Sequence, residues 1–277
     1  MKQKSKQTDK QSILSGTNKS ELENGIRLNK YLSDAGVCSR RQADTFIEQG
    51  KVTVDQKVAV PGTRVKPGQQ VMVNGKLVKQ EEKLVVLAFH KPRGIVCTAE
   101  KREKNNIIDY IKYPMRIYPV GRLDKDSEGM ILLTNHGELA NRICKARYYH
   151  EKEYIVAVNK PVTDEFLKGM AKGVPILGTV TRPCIIKKEG RCKFRIILTQ
   201  GLNRQIRRMC EYFGYQVLTL KRIRIMNIEL GDLKVGTYRH VEGAELLTLN
   251  NMLLKERVDG TKNSQNQRAR KNFERSK

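Results

Sequence analysis

The sequence predicts an α+β protein in two folded parts: a small helix-and-strand module over residues 25–83 and a mixed, mainly antiparallel domain over residues 84–250. Three observations carry that reading. Between Ile26 and Val73, apolar residues first recur at helical spacing and then alternate at strand spacing. From Leu84 onward, longer apolar runs are interrupted by helical patterns, without regular strand–helix–strand order and without a glycine-rich phosphate loop. The stretches 1–24 and 251–277 are polar and basic, and read as disordered tails.

The small module can be justified element by element. Leu28, Tyr31, Leu32 and Ala35 form one apolar helical face, and Gly36 closes that helix. Ser39-Arg-Arg-Gln42 is a capping box that opens a second helix, with Ala43, Phe46 and Ile47 on its buried face and Gly50 behind it. Val52 and Val54, Val58 and Val60, then Val71 and Val73 alternate as inward-facing strand residues. Asn74-Gly75 is a tight hairpin turn. Arg40 and Arg41 fall in the first turn of the second helix, where the macrodipole repels positive charge. A bound phosphate reverses that penalty.

In the larger domain, apolar runs near residues 84–89, 130–134, 154–158 and 194–198 read as strands. Asn135-His136-Gly137 is a turn after the second run. Helical patterns lie near 139–146 and 164–171, the latter with Asp164 and Glu165 in its favoured first turn. A third helix grows from the segment Gly201–Cys210 and reaches about Phe213. Ile206, Met209, Cys210 and Phe213 form its apolar stripe, and Arg204, Arg207 and Arg208 are expected to share another face. Three clustered arginines call for anions, either RNA phosphate or a buried carboxylate.

Charge narrows the function class. The chain has 54 Lys and Arg against 29 Asp and Glu, a formal net charge of +25 at pH 7. Such an excess suits a polyanionic partner, because phosphate contacts release counterions and drive binding. No apolar run approaches the roughly 20 residues of a spanning helix. No leader-like apolar segment follows Met1, so a cytoplasmic location is expected. The six cysteines include no Cys-x-x-Cys pair and the four histidines do not cluster with them, so no metal site is expected.

The loop Gly121-Arg-Leu-Asp124-Lys-Asp126-Ser-Glu128-Gly129 is the first chemical candidate. Its alternating acids imitate half of an EF-hand loop, but Asn135 stands where the bidentate Glu belongs and a strand follows in place of a helix. Asp124, between Arg122 and Lys125, can be a catalytic carboxylate or an aspartate that caps a turn; the loop alone leaves both open. A metal-dependent nuclease using Asp124, Asp126 and Glu128 is a rival reading.

Two resemblances resolve part of this. Gly25-Ile-Arg27-Leu-Asn-Lys30 through Ser39-Arg40-Arg41-Gln-Ala-Asp44 resembles the S4 RNA-binding domain. That resemblance implies recognition of structured RNA by shape and phosphate contacts, with Arg27, Lys30, Arg40 and Arg41 as contacts. Gly121-Arg-Leu-Asp-Lys-Asp-Ser-Glu-Gly129 with Leu132-Leu-Thr-Asn135, Lys152-Glu-Tyr154, Asn203-Arg-Gln-Ile-Arg-Arg-Met209 and Lys91-Pro-Arg-Gly-Ile95 resembles the RsuA/RluB/E/F branch of pseudouridine synthases. Within that branch, residues 173–181 and 200–203 most resemble the RluF-type members, which act on 23S ribosomal RNA near the peptidyl-transferase centre. Ser127 and His136, where Thr and Asp are commoner in the branch, fit that type.

The resemblance implies uridine isomerisation in a flipped-out nucleotide, with no cofactor. It makes Asp124 the catalytic carboxylate, a nucleophile or a base at the ribose 2′ position, oriented by Arg207. Tyr154, a further catalytic candidate, would pack on the uracil and help remove the C5 proton. Arg122 would fill the gap left in the RNA, and Lys152, Arg204 and Arg208 would contact RNA. The implied partner is 23S ribosomal RNA, with tRNA as a second candidate; a monomer is expected. The same chemistry on a neighbouring uridine and a non-catalytic S4-type ribosome assembly factor are the alternatives.

Overall fold

The computed structural model describes residues 24–79 and 83–254. The chain divides into two compact units. Of the expected tails at 1–24 and 251–277, residues 1–23 and 255–277 lie outside the described residues, and residues 251–254 are helical.

The first unit contains β1 (Ile26–Arg27), α1 (Leu28–Asp34), α2 (Arg40–Glu48), β2 (Val52–Val54), β3 (Lys57–Val58), β4 (Arg64–Val65), β5 (Val71–Val73) and β6 (Lys76–Leu77). Its four-stranded sheet has the order β3-β2-β5-β6, and β1 pairs separately with β4. Ser39 accepts from the Gln42 amide and Gln42 accepts from the Ser39 amide, so the capping box forms in full. Val52 opposes Val73 and Val54 opposes Val71, which places all four in one core with Leu28, Leu32, Ala43 and Ile47. Asn74 and Gly75 both take positive φ, as the hairpin turn requires. One inward pair differs from expectation. Val58 and Val60 are each 63% exposed, and Ala59 between them is buried. The Ala59 amide donates to the Val52 carbonyl, and that register turns the small residue inward.

The second unit is built on a nine-stranded sheet. Its elements are β7 (Val86–Lys91), α3 (Ile107–Ile111), β8 (Tyr118–Val120), β9 (Glu128–Thr134), α4 (Gly137–Cys144), β10 (Lys152–Val158), α5 (Asp164–Lys172), β11 (Pro175–Ile176), β12 (Thr179–Val180), β13 (Ile185–Gly190), β14 (Lys193–Leu198), α6 (Gln205–Tyr212), β15 (Val217–Ile225), β16 (Ile228–Glu229), β17 (Tyr238–His240) and a last helix, α7, at 243–254. The last helix runs past residue 250, where the catalytic domain was expected to end, and Leu253 on it is buried. The main path of the sheet is β13-β14-β10-β15-β9-β7-β17, with β16 on β15 and β8 on β9. β9 is central, and Gly129 through Thr134 are all buried, so the strand reads as a continuous apolar run.

All the ladders of this sheet are antiparallel except one. β9 and β15 run parallel, Glu128 opposite Lys221 and Gly129 opposite Arg222. Parallel neighbours start from the same edge of a sheet. The segments that feed them, the loop at 121–127 and helix α6, are therefore delivered to the same place. The candidate site is built there.

Candidate active site

The loop before β9 is fixed from beneath by the segment after β7. Lys91 is fully buried and its ammonium donates to the carbonyls of Pro92 and Ile95 at 2.8 Å each, and to that of Lys125 at 3.4 Å. The Gly94 amide donates to the same Lys125 carbonyl, and Arg93 Nε donates to the Asp126 carbonyl at 3.1 Å. Farther along, the Leu123 amide donates to Cys97 Sγ. Burial pulls the Lys91 ammonium below its usual pKa, against the pull of Asp124 and Asp126. Lys91 thus holds the loop as a buried donor hub, and Asp124 projects from it half-buried. A Lys at the end of a six-residue buried strand carries no periodicity signal, and sequence reasoning missed this role; its only trace was the Lys91–Ile95 motif.

Helix α6 supplies the partner. Arg207 is 9% exposed; its Nη1 donates to the Val217 carbonyl and its Nη2 to Ser127 Oγ, while Nε lies 4.0 Å from Asp124 Oδ2. Ser127 is fully buried and its amide donates to the Asp124 carbonyl. Arg207 therefore ties the loop, the helix and the start of β15 together. The three arginines do not share a face, contrary to expectation. Arg204 precedes the helix in left-handed backbone and is exposed, Arg207 faces inward, and Arg208 donates to the carbonyl and side chain of Asn203. The helix begins one residue later than a three-arginine face requires, so Arg204 has no helical position.

Asp124, Arg207 and Tyr154 line one cleft of about 510 Å³ together with Arg122, Lys152 and Arg204. Its apolar wall includes Val120, Leu123, Leu198, Ile206, Leu220 and Ile225. That size suits a single nucleoside. Tyr154 is 8% exposed on β10, opposite Arg222 of β15. Arg222 is a second residue missed by sequence reasoning. It is 3% exposed, lines the cleft, donates through Nε to the Met130 carbonyl at 2.6 Å, and lies 6.0 Å from the Tyr154 ring centre. Among the described residues, Arg222 Nη2 and Arg207 Nε are buried without a hydrogen-bond partner. Arg208 is not among the lining residues. Arg27, Arg40 and Arg41 are exposed on the first unit, and Lys30 pairs with Asp34 at 3.5 Å. Glu128 is held by His90 at 3.0 Å and Lys221 at 3.2 Å, so its carboxylate is committed to those partners.

Lys152 has a strong electrostatic signature. Burial first, and the Arg222 charge second, push its ammonium down to a pKa of about 8. The folded state therefore disfavours the charge, and this cost is present in full below about pH 8. It fades as pH rises from about 8 to the unfolded value near 10.5, so this residue's contribution to stability increases across that window. Lys152→Met is expected to raise the melting temperature at pH 7, by the equivalent of about 1–3 kcal/mol, and to lose that advantage near pH 10.5. Thermal melts of both proteins across this range test it; an equal difference at both ends would refute the electrostatic account.

Among the described residues, no helix is long and apolar enough to cross a membrane. Residues 85–212 match the RNA pseudouridylate synthase family, and residues 26–71 match the S4 domain. The chain is 55% identical to the dual-specificity RNA pseudouridine synthase RluF of Salmonella typhi over 229 residues, 82% of this chain and 79% of that one. It is 36% identical to ribosomal large subunit pseudouridine synthase B of Bacillus subtilis over 232 residues, 80% of this chain and 95% of that one. A crystal structure of a pseudouridylate synthase matches with a TM-score of 0.60 and 25% identity, covering 81% of this chain and all of that one. Segments far apart in sequence meet in one cleft, and the relatives that share most of the chain are synthases: the chain belongs to the RNA pseudouridine synthase family, with an S4 domain ahead of the catalytic domain.

Proposed function

We propose that this synthase isomerises a uridine of 23S ribosomal RNA near the peptidyl-transferase centre, with Asp124 as the catalytic carboxylate. One observation carries the assignment of roles: Asp124 and Arg207, fed into the sheet edge by two parallel strands, stand in the same nucleoside-sized cleft as Tyr154. A stacked uridine cannot enter such a cleft, so the nucleotide is flipped in, at a cost of a few kcal/mol. Arg122, exposed at the cleft, occupies the space that the base leaves. Asp124 acts on the ribose of the flipped nucleotide, and the bond from C1′ to N1 breaks. The free uracil turns against Tyr154 and the apolar wall, where loss of water keeps it from escaping, and C1′ rejoins it through C5. The C5 proton leaves and N1 gains one, so atoms balance without a redox partner. Arg207 aims the carboxylate, and Lys152, Arg204 and Arg222 hold phosphate or uracil oxygens. On the first unit, Arg27, Arg40 and Arg41 take RNA phosphates, which offset the helix-dipole penalty at α2.

The relative named ribosomal large subunit pseudouridine synthase B supports a large-subunit target, and the RluF relatives, named as dual-specificity enzymes, support a second substrate, for which tRNA is the candidate. A cytoplasmic location goes with both substrates. The test is to incubate the protein with unmodified 23S ribosomal RNA and with bulk tRNA in EDTA, then map pseudouridine by carbodiimide labelling and primer extension. A new stop at one 23S uridine is expected. Tight binding with no stop on 23S RNA, free or within immature subunits, would overturn the assignment and favour an assembly factor.

A further inference from the structure

We propose that the lip of the cleft carries a stacking platform, Tyr149 with Arg182, for a nucleobase that flanks the flipped uridine. This rests on the RNA reading above and adds a binding subsite to it. Tyr149 follows the short 3-10 helix Ala146–Tyr148, has left-handed backbone with φ of 57°, and is 59% exposed. An exposed tyrosine in that conformation is costly unless its surroundings fix it. Arg182 fixes it. Its guanidinium carbon lies 3.9 Å from the Tyr149 ring centre, covering one face of the ring. The same guanidinium donates to the carbonyls of Ala146 at 2.8 Å and Thr199 at 3.1 Å. Ala146 lines the cleft, and so does Gln200, the residue after Thr199. The platform is thereby pinned to the rim from both sides.

The remaining chemistry is that of a single-strand binding surface. Beside Tyr149, Arg147 lies 4.7 Å from the Tyr148 ring centre and donates to its hydroxyl at 2.7 Å. Lys145 precedes them. Among the described residues, Lys145, Arg147 and Arg182 have no carboxylate partner. Rigid aromatic faces interleaved with unneutralised cations fit a base with its phosphate. Flipping one nucleotide unstacks its neighbours, and a neighbour left without a stacking partner at the mouth gains one on the open face of Tyr149.

The experiment measures affinity by fluorescence anisotropy, using a 23S-derived stem-loop and versions with an abasic site at each nucleotide flanking the target. Wild type, Tyr149→Phe and Tyr149→Ala are compared, with thermal melts to verify folding. Loss of one stacked base corresponds to roughly tenfold in affinity. Tyr149→Ala is expected to bind about tenfold more weakly, and Tyr149→Phe to bind as wild type does. One abasic position should weaken wild type by a similar factor and cost Tyr149→Ala nothing further. Equal affinity of wild type and Tyr149→Ala, or an abasic penalty identical in both, overturns the platform. Pseudouridine formation by the wild type is read separately in the same RNA, so failure of the 23S assignment shows there and leaves the binding comparison intact.

Discussion

Asp124→Asn is expected to reduce pseudouridine formation by at least about 10³-fold while the protein still folds and binds RNA. The amide has nearly the shape of the carboxylate, so the loop keeps its anchors at Lys91, Gly94 and Arg93. What is lost is an oxygen able to attack the sugar or take a proton from it, and both routes at the ribose need that oxygen. Single-turnover tritium release from uridine labelled at C5 measures the rate, and anisotropy measures the affinity. A rate within tenfold of wild type would remove Asp124 from the chemistry. A parallel loss of affinity would mean that the loop had collapsed and the comparison reported folding instead. Arg207→Ala should slow the reaction less, because the carboxylate remains, but it removes both the orientation of Asp124 and the donors to Ser127 and Val217, so part of its loss is a loss of stability.

The local chemistry was largely legible in the sequence, and the long-range geometry was not. Ser39 and Gln42 announce a capping box by type and spacing alone, because both partners lie within one turn. Asn74-Gly75 announces a turn because few other pairs take that backbone. Asp124, Tyr154 and Arg207 were found through motifs, but nothing in their spacing tells that one parallel ladder brings two of them together. Lys91 reads as a charged residue ending an apolar run. Only the carbonyls gathered around its ammonium, one of them 34 residues away, give it a role. Arg222 sits between Lys221 and Arg224 in an exposed-looking strand, yet it is buried, with its guanidinium held on the Met130 carbonyl at the cleft. The expectations for Val58 and Val60 and for Arg204 failed for one reason, a phase one residue away from the assumed one. Periodicity identifies an element far better than it fixes the element's phase.

Gly129→Ala should have the largest effect on stability, and its cause lies at the same parallel ladder. Gly129 has φ of +113°, and a Cβ there would stand 2.2 Å from the Arg222 carbonyl oxygen and 2.5 Å from its amide nitrogen. Both contacts are backbone, in the middle of the sheet, so no side chain can swing aside to relieve them. Alanine must therefore push β9 from β15 where those strands deliver Asp124 and Arg207. A loss of at least about 3 kcal/mol is expected, or a fall in melting temperature of roughly 10 °C. Gly178→Ala is the matched control: its φ is +71° and nothing lies within 4 Å of the added carbon, so it carries the backbone penalty alone, about 1 kcal/mol. Denaturant melts of the two variants separate the terms. If Gly129→Ala costs no more than Gly178→Ala, close approach of the strands is not what requires glycine. If it costs far more, variants that remain folded should also lose activity in excess of their loss of stability. The strand contact that holds the sheet together is also the one that positions the carboxylate, and it has no room for a side chain.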